Sequence, residues 1–178
     1  MTTTLYTIGH SARAIDEFIA LLAEHAIAML VDIRTIPNSR RHPQFGQERL
    51  RASLGGAHIA YLHMKGLGGL RKTAQNSVNA AWRNAAFRGY ADYTQTEEFA
   101  RWLDELVAVA ARATTAIMCA EADPAHCHRS LVGDALLVRG IEVIDILSSA
   151  QTRAHALTAF ARVAGTSITY PGAQELLL

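Results

Sequence analysis

Lysine is scarce in this 178-residue chain, where only Lys65 and Lys72 accompany the arginines among 17 basic residues. Cysteine and proline are also rare, at two and four residues, and the net charge at pH 7 is only +1. The near-zero charge gives no indication of a nucleic-acid or membrane partner. An arginine bias is typical of a GC-rich genome, so phosphate binding has to be argued from individual arginine positions.

We expect neither an export signal nor a membrane anchor in this sequence. No run approaches the ~20 apolar residues needed to span a bilayer, and the first four residues show no basic segment leading into an apolar one. Two cysteines without an export signal are typical of reduced thiols rather than of a structural disulfide. We therefore expect a cytoplasmic protein with no membrane contact.

Half of the residues are hydrophobic, and the length suits one core rather than two. Short apolar runs predict strands at residues 5–8, 28–34, 59–63, 115–119 and 142–147. Helical spacing or helix-start signals predict helices at about 15–22, 47–54, 97–110, 123–139 and 152–164, with a capping box formed by Thr94 and Glu97. This alternation predicts one α/β domain over residues 1–178. We expect a three-layer sandwich with a mostly parallel sheet of about five strands and helices on both faces.

Residues 65–93 are rich in glycine and show no clear periodicity, apart from a possible short helix around 79–84. So long an irregular segment is unusual inside a compact domain, and such segments are most often binding loops or lids. We therefore expect this stretch to form a functional loop.

Polar and ionisable residues lie at or just beyond the carboxyl ends of several predicted strands. His10 and Ser11 come after the first strand, Asp32 and Arg34 lie at the end of the second, and Cys119 and Glu121 lie at and after the end of the fourth. In open parallel sheets, ligands bind beyond the carboxyl ends of the strands. The sequence therefore predicts that these side chains share one pocket.

The segment from Cys119 to Arg129 carries both cysteines. Asp123 followed by proline predicts a helix start that would place Cys127 in the first turn, where the helix dipole, His128 and Arg129 would stabilise a thiolate. Cys127 is then a nucleophile, a redox group or a metal ligand, or else a small buried packing residue. Seven residues separate the cysteines, which is not a standard zinc pair. A mixed site with His10 or His63 stays possible, but the predicted site contains no metal.

Four arginines lie in loops or at the predicted helix start and are candidates for holding an anion: Arg34, Arg40, Arg88 and Arg129. Asp32 and Glu121 are the candidate acids or bases, although Asp32 has the alternative role of holding Arg34 or a backbone amide. Tyr90 is a candidate for stacking on a base, and core packing explains it equally well.

Several short motifs together resemble a bacterial and archaeal family known as domain of unknown function 488. They are TIGHS at 7–11, VDIR at 31–34, Pro37 with Ser39 and Arg40, LGG at 67–69, FRGYADY at 87–93, CAE at 119–121 and CHR at 127–129. The resemblance extends from about residue 4 to residue 148. It implies a compact cytoplasmic α/β domain whose signature residues are the same strand-end positions. It implies no substrate, mechanism or cofactor.

The first hypothesis for function is an enzyme that acts on a phosphate-bearing ligand, either a nucleotide or a nucleic-acid segment. Arg34, Arg40, Arg88 and Arg129 would hold the anion, Glu121 or Asp32 would act as acid or base, and Cys127 or His10 as nucleophile or proton shuttle. Ser11, Tyr90, Cys119 and His128 complete the expected ligand-binding set. The alternatives are a binding or sensor module without chemistry, and a metal- or thiol-dependent protein using Cys119 and Cys127. The oligomeric state and any cofactor stay open.

Overall fold

The computed structural model describes residues 3–173, which form a six-stranded sheet in the order β3-β2-β4-β1-β5-β6. The first five strands in chain order run parallel, and β6 pairs antiparallel with β5. The strands are β1 (Thr4–Gly9), β2 (Met29–Asp32), β3 (Ala60–His63), β4 (Thr115–Cys119), β5 (Glu142–Ser148) and β6 (Gln151–Ala154). The expected α/β sandwich with a mostly parallel sheet is confirmed.

Helices cover both faces of this sheet. They are α1 (Ile15–Glu24), α2 (Gln47–Gly56), α3 (Ala85–Thr94), α4 (Glu97–Ala110) and α5 (Arg129–Leu137). The apolar residues of α1 and α2 pack into one core cluster, and those of α3, α4 and α5 pack into another. Because β4 is buried along its whole length, its sequence is the continuous apolar run that a sheet covered on both faces requires.

The prediction of a final helix at 152–164 is wrong. Residues 151–154 form the edge strand β6, and β7 (Arg162–Ala164) pairs with β8 (Ser167–Thr169) in a separate antiparallel hairpin. Gly165 has a φ of +64°, so it forms the hairpin turn rather than a helix end. The alanines of this segment give it helical spacing, but pairing with β5 gives residues 151–154 their backbone partners.

The prediction of one continuous helix at 123–139 is also wrong. Asp123 does cap a helical turn, since its Oδ1 accepts from the amide of Ala125 at 3.0 Å, but that turn is a 3-10 helix of Pro124–His126. Cys127 is extended, with φ −141° and ψ 146°, and α5 begins only at Arg129. Cys127 therefore lies just before the helix instead of within its first turn.

The irregular segment is shorter than expected, because α3 occupies residues 85–94. Asn84 caps this helix by accepting from the amides of Ala86 and Phe87. Gly89 lowers the helical signal of the sequence, and the position requires glycine because a Cβ would overlap the carbonyl of Arg71. The prediction of a capping box formed by Thr94 and Glu97 is wrong. Thr94 is the last residue of α3, and Thr96 caps α4 by accepting from the amide of Phe99, a position that has no carboxylate to complete a capping box.

Among residues 3–173, no helix combines the length and the apolar character that a membrane crossing would need.

Candidate functional site

A cavity of about 720 Å³ opens at the carboxyl ends of β1, β2 and β4, and we call it the strand-end pocket. The chain leaves β1 toward β2 and leaves β4 toward β5, so the crossovers of these two neighbouring strands run in opposite directions. Open parallel sheets place their ligand crevice at such a reversal. Of the predicted site residues, those that line the pocket are His10, Ser11, Arg34, Arg40, Cys119, Glu121 and His128.

Arg34 reaches the pocket from a buried ion pair with Asp32. Its Nε and Nη2 donate to the two carboxylate oxygens of Asp32 at 2.9 and 2.6 Å, and Nη2 also donates to the carbonyl of Phe45. Tyr61 donates its hydroxyl to the same carboxylate at 2.7 Å. These bonds hold the guanidinium in one orientation. Burial lowers the pKa of Arg34, but its hydrogen bonds to Asp32 and the negative charge of that carboxylate together outweigh burial and raise the pKa. Asp32 itself is fully buried, so its contacts match the alternative role of holding Arg34.

His10 lies beside Arg34 with its ring stacked on Phe45, the two ring centroids being 4.4 Å apart. Its Nδ1 is 2.9 Å from the carbonyl of Ser11, which can only accept, so the proton sits on Nδ1 and Nε2 keeps a lone pair. Nη1 of Arg34 approaches that lone pair at 3.5 Å. Burial, followed by the charge of Arg34, lowers the pKa of His10 to about 4. His10 is therefore neutral at physiological pH.

The rim of the pocket carries charges of both signs. Arg40 and Arg41 are exposed on one wall, in the loop that follows β2, and Glu121 is exposed on another, in the loop that follows β4. Arg34 contributes a third guanidinium below the two rim arginines, and Asp32 balances its charge. Glu121 offsets one of the two rim arginines, so the net charge of the pocket wall is still positive.

Both cysteines and His128 meet at one side of the pocket. The Sγ atoms of Cys119 and Cys127 lie 3.8 and 3.7 Å from Nδ1 of His128. Nε2 of His128 donates to the carbonyl of Ile33 at 3.1 Å, which leaves Nδ1 unprotonated and directed at the sulfurs. A hydrogen bond from Cys119 lowers the pKa of the Cys127 thiol, with Arg129 adding to the effect, and the same bond together with burial raises the pKa of Cys119.

Arg129 is buried behind this cluster rather than in the pocket. Its backbone amide donates to Sγ of Cys127 at 3.5 Å, and its Nη2 donates to the carbonyl of Ala122 at 3.1 Å. Within residues 3–173, its Nε and Nη1 find no hydrogen-bond partner. Burial lowers the pKa of Arg129, although the neighbouring thiols oppose the shift. The side chain supports the loop between β4 and α5 and is not among the groups that line the pocket.

Two further predicted ligand-binding residues, besides Arg129, are not brought to the pocket. Arg88 lies on α3 and donates from Nε to the carbonyl of Trp82 at 2.9 Å. Tyr90 is fully buried, donates its hydroxyl to the carbonyl of Leu67 at 2.7 Å, and packs its ring 4.8 Å from that of His128. Tyr90 therefore belongs to the core that supports His128, which is the packing alternative considered for it.

Several residues that form the site were not predicted from the sequence. Phe45 follows Pro43 in a short 3-10 helix and supplies both the stacking partner of His10 and an acceptor for Arg34. Gly69 packs so close to His128 that a Cβ there would lie 2.5 Å from Nδ1. The short glycine-rich motif at 67–69 is a signal for this close approach, whereas nothing in the sequence around Phe45 distinguishes it from an ordinary core residue.

The strand-end pocket and the parallel sheet define an α/β protein with a crevice at a reversal of strand order. The family model described as Domain of unknown function DUF488 matches residues 14–136, and the chain belongs to that family. No curated protein and no solved structure matches the chain. The expected family membership is thereby confirmed.

Proposed function

We propose that this protein binds a phosphate-bearing ligand, a nucleotide or a nucleic-acid end, in the strand-end pocket and acts on it as an enzyme. The observation that carries the proposal is the fixed orientation of Arg34, whose guanidinium is held by Asp32 and by the carbonyl of Phe45. Nε and Nη2 are engaged by Asp32 and Phe45, so Nη1, beside His10, is the nitrogen that would donate to a phosphate oxygen. Holding the guanidinium rigid in advance reduces the entropy lost when a ligand binds.

The rim and the size of the pocket support the same ligand class. Arg40 and Arg41 extend from the loop after β2 and add two charges that a phosphate ester or a polyphosphate would meet. A cavity of about 720 Å³ falls within the range of roughly 300–1,000 Å³ that small-molecule and cofactor sites occupy.

The enzymatic part of the proposal rests on reactive groups that line the same cavity. His10 has an unprotonated Nε2, and the carboxylate of Glu121 lies across the pocket, so a proton acceptor and an acid or base are both available to a bound ligand. Cys119 adds a sulfur on the pocket wall. Acid–base work by His10 would require Nη1 of Arg34 to shift from Nε2 to the ligand.

The contact between Nη1 of Arg34 and Nε2 of His10 also favours a second candidate function. If Arg34 stays bonded to Nε2 of His10 when the ligand is present, the pocket recognises an anion without chemistry, as in a binding or sensor module. Product formation separates the two functions, because a sensor binds the ligand with the same residues but does not convert it.

The proposal is tested by a thermal-shift screen of inorganic phosphate, nucleotides, sugar phosphates and short oligonucleotides, followed by assay of each hit for product. At least one phosphate compound should raise the melting temperature, and the R40A/R41A double variant should lose most of that shift. The matched control is R101A/R112A, which removes two exposed arginines elsewhere on the surface and should keep the shift. No stabilisation by any phosphate compound, or an equal loss in both double variants, would contradict the proposal.

A further inference from the structure

We propose that Cys119, Cys127 and His128 form a binding site for a thiophilic divalent cation, with zinc as the best fit, and that its fourth coordination position faces the strand-end pocket. The candidate ligand atoms, two Sγ and Nδ1, all lie within 4.8 Å of one another. This site goes beyond the proposed anion binding and does not depend on it.

The separations of these atoms fit a tetrahedral ion. Zinc bonds of about 2.3 Å to sulfur and about 2.0–2.1 Å to nitrogen, set at tetrahedral angles, place a sulfur and a nitrogen roughly 3.6 Å apart. Sγ of Cys119 and Sγ of Cys127 lie 3.8 and 3.7 Å from Nδ1 of His128. Both sulfur–nitrogen separations therefore match tetrahedral coordination to within a few tenths of an ångström, and the two sulfurs lie within 4.8 Å of each other.

The surroundings of the three ligands are those of a metal centre. Nε2 of His128 donates to the carbonyl of Ile33, which fixes the ring and directs the Nδ1 lone pair at the sulfurs. Metal-binding histidines almost always have such an outer partner. The amide of Arg129 donates to Sγ of Cys127, a bond that favours the thiolate form required of a ligand.

The seven-residue separation of the cysteines does not argue against this site. Short spacings apply where both ligands of a pair come from one tight turn, whereas Cys119 ends β4 and Cys127 lies at the far end of the loop that leads to α5. The fold brings the two ends of that loop together. It also brings in His128, instead of His10 or His63.

The fourth position distinguishes this site from a closed structural one. Structural zinc sites take four protein ligands, whereas catalytic sites take three and leave one position to water or substrate. Cys119 and His128 both line the strand-end pocket, so the open side of the cluster faces the cavity that contains Arg34. Two sulfurs and an imidazole favour zinc over magnesium or calcium, which prefer oxygen ligands.

The experiment uses the full-length protein, purified under reducing conditions without chelators. Elemental analysis should find about one zinc per chain, and cobalt substituted for it should give the intense absorption of tetrahedral coordination with thiolate-to-cobalt charge transfer. H128A and C127S should each weaken zinc binding by more than about 100-fold, because losing a ligand costs more than the ~10- to 100-fold cost of losing an outer-shell partner. H126A, which removes an adjacent histidine whose side chain is 77 % exposed, should bind zinc like the wild type.

A further variant tests the site without removing a ligand. G69A would place a methyl group 2.5 Å from Nδ1 of His128 and should weaken zinc binding while leaving both thiols in place. In the wild type, zinc should protect both cysteines from iodoacetamide, a readout that holds even if a ligand variant does not fold. Reduced, folded wild-type protein that binds no stoichiometric zinc or cobalt, or equal affinities of H128A and H126A, would overturn the proposal. Neither result depends on phosphate binding, so failure of one proposal is distinguishable from failure of the other.

Discussion

The carboxylate of Asp32 and the guanidinium of Arg34 form an ion pair closed by hydrogen bonds of 2.6 and 2.9 Å, and both side chains are buried at the carboxyl end of β2. The pair spans only two residues of sequence, yet it sets the direction of the arginine in the strand-end pocket. A buried pair of this kind is costly to break, because the remaining charge has no partner.

Replacing Asp32 with asparagine should therefore destabilise the protein strongly. D32N leaves Arg34 buried without a counter-charge and should lower the free energy of unfolding by about 3–5 kcal/mol, measured by urea denaturation. D104N is the control, since Asp104 is 73 % exposed in its pair with Arg139 and its loss should cost at most about 1 kcal/mol. Similar losses in the two variants would show that the Asp32–Arg34 pair has no special structural role.

His10 should stay neutral well below the usual pKa of histidine. Its pKa is lowered to about 4 by burial and by Arg34, so its ring nitrogens should show the neutral Nδ1–H form in NMR spectra down to about pH 5. A group with a lowered folded pKa loses its contribution to stability as the pH falls from 6.5 toward 4. The NMR signals that are missing in the H10N variant are those of His10. The H10N variant should also lose less stability than the wild type as the pH falls from 6.5 toward 4. A His10 ring that titrates near 6.5 would contradict the burial and charge described for it.

His155 should confer the opposite pH dependence. Burial alone would lower its pKa, but hydrogen bonds to Asp134 and Asp145, each at 3.2 Å, outweigh that effect and raise the pKa to about 9. The resulting stabilisation is complete below pH 6.5 and is lost as the pH rises toward 9, an effect of roughly 2–3 kcal/mol. Unfolding free energies measured from pH 6 to 9.5 should show this decline in the wild type. In H155Q the decline should be absent, and a decline of equal size there would assign it to another group.

Glycine at position 9 should be required by the loop that follows β4. A Cβ on Gly9 would overlap the carbonyl oxygen of Glu121, so G9A has to displace backbone and should cost about 1–3 kcal/mol. Gly55, near the end of α2, has open space around it, and G55A should stabilise the protein by up to about 1 kcal/mol through its higher helix propensity. Thermal melts of the two variants measure both effects. A neutral G9A would show that the loop adapts easily.

The parts of the fold that sequence reasoning predicted correctly are those determined by local pattern and burial. The strand β4 is a continuous apolar run, and the stripe of Phe99, Leu103 and Leu106 predicts α4. The C-terminal segment could not be predicted in this way. Residues 151–154 are exposed and have no strand pattern, and they become a strand only because β5 offers a free edge. The free edge of β5 exists only in the assembled sheet, so the sequence of residues 151–154 alone cannot indicate it.

The same distinction holds for the candidate site. Parallel strands bring their carboxyl ends to one edge, so the grouping of His10, Arg34 and Cys119 follows from their places after strands. Arg88 and Tyr90 lie in a segment whose path over the sheet is set by packing. The neighbouring residues in the sequence do not indicate that path, so the sequence could not show that the two side chains point away from the pocket. The direction of the His128 ring depends on the carbonyl of Ile33, 95 residues away, and could not be inferred from local spacing.

The most direct test of the strand-end pocket as a phosphate site is calorimetric titration of the strongest phosphate ligand from the thermal-shift screen. Wild-type protein and R101A/R112A should bind it with the same affinity, whereas R40A/R41A should bind at least ~10-fold more weakly, because each lost charge-assisted hydrogen bond is worth about 1.5–3 kcal/mol. Affinity that is unchanged in R40A/R41A, or that falls equally in both double variants, would contradict the assignment of this pocket to a phosphate-bearing ligand.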